Sequence, residues 1–251
     1  MWIHLFKLSK LCRAVTPDSA NMEPMRREDG VTIDDRSARI ILLNGTTSAG
    51  KSTLARAIQR RLDPQPVLTG LDAFVFPSFP PAWNETPTGC IFEKTPDGAV
   101  HLRLGPGGIA LTKAFHRSVA AMANEGLSVI VDDCLFEPWL LQDWLDVLSG
   151  HHITFVGVYC DLAEAERREL QRGDRQIGQV LGQIGQVHLH GDYDISVDTT
   201  AKTPSQCADE VVQALKSGVG ATAFDRLRRN SLGRRGSQNP SKKPASERTM
   251  T

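Results

Sequence analysis

Short apolar runs alternate with longer amphipathic stretches along most of the chain. Ile40-Ile41-Leu42-Leu43 shows no polar alternation, so it reads as a strand buried on both faces. Val67-Leu68, Val129-Ile130-Val131 and Ile153 to Tyr159 repeat that character, and Ile195 to Val197 is a fifth candidate. Between the strands, Leu111, Phe115, Val119 and Met122 recur at helical spacing, as do Val211, Val212 and Leu215. Apolar strands separated by helices predict an α/β fold, a parallel sheet with helices on both faces.

Residues 73–108 break the rhythm with Pro77, Pro80, Pro81, Pro87, Pro96 and Pro106. Thr95-Pro96-Asp97-Gly98 is a turn signal between two short strand-like runs. A long irregular insert of this kind is expected to be a binding loop or lid.

The ends lack core-forming periodicity. Residues 1–37, with Pro17, Pro24 and Arg26-Arg27-Glu28-Asp29, are expected to be a poorly ordered extension. Residues 38–218 are expected to form the domain, and 219–251 a basic disordered tail. Acidic and basic residues balance at 29 each, which gives no reason to expect nucleic acid as the main partner. The balance hides a split, because Asp225 to Arg248 holds eight basic residues against two acidic ones. Five cysteines, an odd number with no CxxC pair, argue against a disulfide framework or a zinc site. Reduced thiols in a cytoplasmic protein are the simplest expectation. Lys7, Lys10 and Arg13 interrupt the N-terminus too early for a signal-peptide core, and no run reaches the ~18 apolar residues of a membrane span.

The chemistry starts where the first strand stops. Gly45-Thr46-Thr47-Ser48-Ala49-Gly50-Lys51-Ser52 fits GxxxxGK[ST] at every fixed position. A buried strand precedes it, and Leu54, Ala55 and Ile58 mark one face of a helix after it. Gly45 and Gly50 are expected to take backbone angles that other residues resist. The loop's N–H groups then bind phosphate oxygens, helped by the helix N-terminus. Lys51 is expected to reach the β- and γ-phosphates of ATP, and Ser52 to ligate Mg²⁺. The nucleotide-binding run is taken as Gly45 through Thr53.

Asp72 follows Thr69-Gly70-Leu71 at the expected end of the second strand, 21 residues after Lys51. A carboxylate there is either the base that accepts a proton from an attacking hydroxyl or a helix N-cap. Asp132 and Asp133 end the third strand as a Walker B element does, with Asp132 the first choice as metal ligand. The alternative is a pair of solvated carboxylates. Arg168 and Arg172 share a helix face, and Arg175 lies beyond Gly173. These guanidinium groups either stabilise charge developing in phosphoryl transfer or form a solvated face in which Glu164 pairs with Arg168. His188 reads as a hydrogen-bonded structural residue.

Taken in order, the motifs from about Arg39 to Val212 resemble the chloramphenicol phosphotransferase family. They are Ile41 to Gly45 running into Ser48 to Ser52, Gly70-Leu71-Asp72, Val131-Asp132-Asp133, Gly157 to Asp161, Arg172 to Arg175, Val187-His188, Tyr193-Asp194 and Val197 to Thr200. The resemblance implies a P-loop kinase fold with a five-stranded parallel sheet. It implies transfer of the ATP γ-phosphate to a hydroxyl on a small molecule, a chloramphenicol-like antibiotic being the leading acceptor. It assigns the catalytic base to Asp72 and the lid to Arg168, Arg172 and Arg175. The aromatic segment Phe74 to Trp83 departs from the family pattern, and it suits an apolar acceptor. The alternative is a P-loop NTPase or ATP-binding regulatory module without small-molecule kinase activity.

Overall fold

The computed structural model describes residues 31–32, 39–173, 176–217 and 221–237. A two-residue strand, β1 (Val31–Thr32), pairs in parallel with β3 (Leu62–Asp63). The rest of the expectation for residues 1–37 lies outside the described residues. Next comes β2 (Arg39–Asn44), buried from Ile40 to Asn44, and then α1 (Lys51–Gln59). After β3 the chain enters β4 (Val67–Gly70) and turns at once into the short helix α2 (Leu71–Phe74). The proline-rich insert continues as two 3₁₀ turns, Phe76–Ser78 and Pro81–Trp83, and a hairpin of β5 (Cys90–Lys94) and β6 (Val100–Leu104). The Thr95 to Gly98 turn closes that hairpin, with Gly98 at φ 90°.

Pro106 opens the long helix α3 (Pro106–Asn124), where its missing N–H is no loss. The alternation then runs β7 (Val129–Asp133), α4 (Pro138–Val147), β8 (His152–Tyr159), α5 (Leu162–Arg172), α6 (Gln179–Ile184), β9 (Ile195–Asp198), α7 (Pro204–Ser217) and α8 (Ala223–Ser237). Five strands form one parallel sheet in the order β4-β7-β2-β8-β9.

Successive side chains on a strand face opposite ways, and β2 shows how this sorts the core. Ile40 and Leu42 pack on one face with Phe115 and Val119 of α3, Leu140 and Trp144 of α4, and Phe224 of α8. Ile41 and Leu43 pack on the other with Leu54 and Ile58 of α1 and Val211 and Leu215 of α7. Each buried aliphatic or aromatic side chain contributes about 1.5–3 kcal/mol by leaving water. The chain leaves β2 toward β4 on one side and later reaches β8 on the other. The carboxyl end of β2 is therefore where connections diverge, the usual place for a ligand crevice in such sheets.

Two expectations change here. The second strand ends at Gly70, and Asp72 lies in the first turn of α2. A Cβ on Gly70 would lie 2.4 Å from the Asp132 carbonyl oxygen, so β4 meets β7 too closely there for any other residue. The stretch from 219, expected to be a disordered tail, contains α8, whose Ala223 and Phe224 are 0% and 1% exposed. Arginine density in α8 conceals the Ala223, Phe224 and Leu227 contacts that tie it to the core. Residues 238–251 lie outside the described residues. Among the described residues, no helix is long and apolar enough to cross a membrane.

Candidate active site

The turn from β2 into α1 buries Gly45 through Ala49, and each residue has a local reason to be there. A Cβ on Gly45 would lie 2.3 Å from the Val158 carbonyl oxygen, so β8 presses against the loop at its first residue. The two glycines therefore differ from each other, and only Gly45 departs from the expected torsional role. Gly50 takes a left-handed φ of 87°, whereas Gly45 is required by close approach. The second left-handed residue is Ser48, at φ 58°, a conformation that a side chain resists. Alternation of this kind turns successive N–H groups toward one concavity, which suits an anion.

The Thr47 and Ser48 hydroxyl oxygens are buried with no hydrogen-bond partner among the described residues. An unpaired buried polar group costs about 1–3 kcal/mol, so hydroxyls at this loop fit a ligand that supplies acceptors. Nearby groups brace the loop from outside. Thr47 N–H donates to Gln183 Oε1 at 2.7 Å, and the Thr199 hydroxyl donates to the Ala49 carbonyl at 2.7 Å. The Asn44 side chain donates to the Val187 carbonyl at 2.6 Å and accepts from Leu135 N–H at 2.9 Å.

Lys51, Ser52 and Asp132 converge beside the loop. Lys51 Nζ donates to the Thr46 carbonyl at 2.8 Å and lies 3.9 Å from Asp132 Oδ1. The Ser52 hydroxyl donates to Asp132 Oδ2. Thr53 is exposed one residue further along α1. Asp133 points the other way and is 1% exposed. It accepts from Trp144 Nε1 at 2.6 Å and from Cys134 N–H at 2.7 Å, and burial pushes its carboxyl pKa up. Asp132 thus faces the loop, while Asp133 belongs to the core.

Asp72 is exposed at the second position of α2, with Gly70 at the N-cap, so it is not the cap itself. In the register of β4 and β7, Gly70 lies opposite Asp132. Burial pushes the Cys134 thiol up to about 12, and the charges of Lys51, Asp133, Asp72 and Asp132 all reach it. Beyond α2, aromatic rings follow in series. Phe74 lies 5.2 Å from Phe115, Phe76 meets Phe79 edge-on at 5.7 Å, and Phe79 meets Trp83 at 5.9 Å.

Arg168 lies close to the loop but is already engaged. It donates to Glu164 Oε1 at 2.7 Å and to the Thr199 carbonyl at 2.8 Å, and its Nη1 lies 3.5 Å from where a Gly50 Cβ would sit. Arg172 is exposed in the last turn of α5, and Arg175 lies outside the described residues. The sequence reading assigns no role to Glu169, yet this buried carboxylate accepts the N–H groups of Gly178 at 2.8 Å and Val180 at 3.1 Å. It thereby anchors the start of α6, which carries Gln183 to the loop. The available signal is its place four residues after the buried Ala165 on the same helix face.

Comparison with known proteins agrees with this architecture. The family described as chloramphenicol phosphotransferase-like protein matches over residues 38–216. A protein of Mycobacterium tuberculosis strain H37Rv, provisionally named an O-phosphotransferase, is 34% identical over 203 residues, 77% of this chain and 89% of its own. Among solved structures, the M. tuberculosis APS kinase in complex with AMPPNP and APS superposes with a TM-score of 0.53 at 14% identity, over 72% of this chain and 98% of that one. A sugar kinase from Janibacter sp. HTCC2649 gives 0.50 at 16% identity, over 71% and 94%. At these identities the structural likeness speaks for the fold alone, a P-loop kinase fold. The family match spans all five strands of the sheet, the loop and Asp132, and the chain belongs to the chloramphenicol phosphotransferase-like family.

Proposed function

We propose that this phosphotransferase moves the γ-phosphate of ATP to a hydroxyl group of a small, partly apolar molecule, a chloramphenicol-like alcohol being the leading acceptor. The observation that carries the reading is the convergence of Lys51, Ser52 and Asp132 at the carboxyl ends of β2 and β7, with exposed Asp72 two residues past the Gly70 that faces Asp132. In this reading, the N–H groups and hydroxyls of Gly45 to Thr53 bind phosphate oxygens, and Lys51 contributes a fixed positive charge to them. Ser52 and Asp132 offer adjacent oxygen ligands, which fits a hard divalent cation, and they would hold Mg²⁺. Bound Mg²⁺ would neutralise charge on the phosphates.

Asp72 takes the acceptor's hydroxyl proton as that oxygen attacks. Arg168, Arg172 and Arg175 add positive charge at the lid. Phe76 and Trp83, half-buried in the insert that follows Asp72, supply apolar surface suited to such an acceptor. Use of ATP implies a cytoplasmic site of action. The test is an ATP-consumption screen over hydroxylated small molecules, chloramphenicol included, with products read by mass spectrometry. A phosphorylated alcohol supports the reading. Hydrolysis of ATP with no acceptor in the set modified would favour a P-loop NTPase instead.

A further inference from the structure

Behind the phosphate loop, a chain of directional hydrogen bonds runs through residues that the proposed function does not use. Its first link is fixed in orientation. Asn44 Oδ1 accepts the Leu135 N–H at 2.9 Å, so the other end of that amide is the donor. Asn44 Nδ2 gives its hydrogens to its two shortest contacts, the Val187 carbonyl at 2.6 Å and the Tyr193 hydroxyl at 2.8 Å, and His190 Nε2 lies farther off at 3.3 Å. The Tyr193 hydroxyl thus already accepts, and its own hydrogen is directed at His188 Nδ1, 2.5 Å away. Burial holds the Tyr193 pKa well above its ordinary value, so that hydrogen stays in place. His188 Nδ1 is therefore an acceptor, and the imidazole carries its proton on Nε2.

The imidazole is also fixed in direction. It stacks on Tyr159 with centroids 4.0 Å apart and planes 16° from parallel. Tyr159 directly follows Val158, the residue that touches Gly45. Burial first, then His190 and the Lys51 ammonium, lower the His188 pKa to about 4, so the ring is neutral near pH 7 and within reach of the Lys51 charge. With Nδ1 tied inward to Tyr193, Nε2 is on the opposite side of the ring.

We infer that Asn44 and Tyr193 hold His188 in its Nε2–H tautomer, and that His188 presents this N–H as a hydrogen-bond donor to the γ-phosphate of ATP. The inference rests on the ATP reading above and adds a group to it. A neutral donor contributes a directed contact without further positive charge.

The test uses the full chain and two readouts. Long-range ¹H–¹⁵N correlations of the histidine rings distinguish the two neutral tautomers, and His188 is assigned by its loss in His188→Gln. The Nε2–H pattern is expected, and an Nδ1–H pattern overturns the inference. Calorimetry with ADP and with a non-hydrolysable ATP analogue, both with Mg²⁺, then isolates the γ-phosphate contact. His188→Phe keeps a ring against Tyr159 but has no donor, and it should lose about tenfold in preference for the ATP analogue over ADP. His188→Gln places an amide N–H near the lost Nε2–H and should keep most of that preference. An unchanged preference in His188→Phe, or equal loss in both variants, would make His188 a packing residue and overturn the inference. A wild-type chain that binds neither nucleotide would sink the ATP reading itself, an outcome distinct from these.

Discussion

The Ser52 hydroxyl donates to Asp132, 80 residues further along the chain, and so joins the first turn of α1 to the end of β7. Parallel pairing of β2 with β7 brings this about, with Asn44 beside Asp133 and Leu43 beside Asp132. Adjacent strand residues diverge, so Asp132 faces Ser52 while Asp133 faces Trp144.

That divergence predicts opposite phenotypes for two neighbouring substitutions. Asp132→Asn should leave the thermal midpoint nearly unchanged and raise the Mg²⁺ concentration needed for half-maximal phosphotransfer. Asp133→Leu should leave the Trp144 N–H without its acceptor and destabilise the fold by about 1–3 kcal/mol or more. Magnesium titration and urea unfolding of both variants check this. Matching profiles for the two would contradict the assignment.

Asp72→Asn separates phosphotransfer from nucleotide binding. Asn keeps the shape of Asp but takes no proton, so transfer to the acceptor should fall by roughly 10²–10⁴. ATP affinity by calorimetry should hold. Equal loss of both would recast Asp72 as a ligand-side or structural group, and loss of neither would remove it from the mechanism.

Much of this was legible in particular residues. Ile40 to Leu43 are apolar on both faces, and the GxxxxGK[ST] spacing sits directly after them, so strand, loop and helix follow from local sequence. The choice between Asp132 and Asp133 was not, because it depends on which face of β7 carries α1. The structure puts Ile130, and hence Asp132, on the face packed by Leu54 and Ile58. Gly45 shows the same limit. Its sequence context suggests a torsional role, whereas the neighbour that requires glycine, Val158, is over a hundred residues away. Arg168 could be read either as a site residue or as a partner of Glu164, and in the structure it contacts Glu164 and Thr199 at once.

Three histidines make the fold acid-sensitive. Burial lowers the pKa of His116 and His190 from an ordinary 6.5, and that of His188 to about 4. Below about pH 6.5 the unfolded chain takes up protons that the folded chain refuses, so stability is full above that pH and is lost as pH falls toward 4. The thermal midpoint should therefore drop between about pH 7.5 and about pH 5, and the drop should shrink in His188→Gln. An equal drop in both proteins would show that His188 contributes nothing to it.

The helix that composition marks as a tail should prove structural. Phe224 meets Phe155 of β8 edge-on at 5.1 Å, on the same face as Trp144. Ala223 N–H donates to Asp194 Oδ1 at 2.6 Å, and Arg228 donates to the Leu145 carbonyl at 2.9 Å. Asp194 also accepts the Phe155 N–H at 2.8 Å, so one carboxylate joins α8 to the sheet. Phe224→Ala should therefore cost about 3–5 kcal/mol, as other buried phenylalanine truncations do. Trimming the chain after Lys216 should cost at least as much, because it uncovers Phe155 and removes a partner of Asp194. Exposed Arg229 makes the control, and Arg229→Ala should stay within about 0.5 kcal/mol of wild type. Urea unfolding of the three proteins decides the matter. If Phe224→Ala behaves like the Arg229 control, α8 is not docked in solution, and the basic segment is a tail after all.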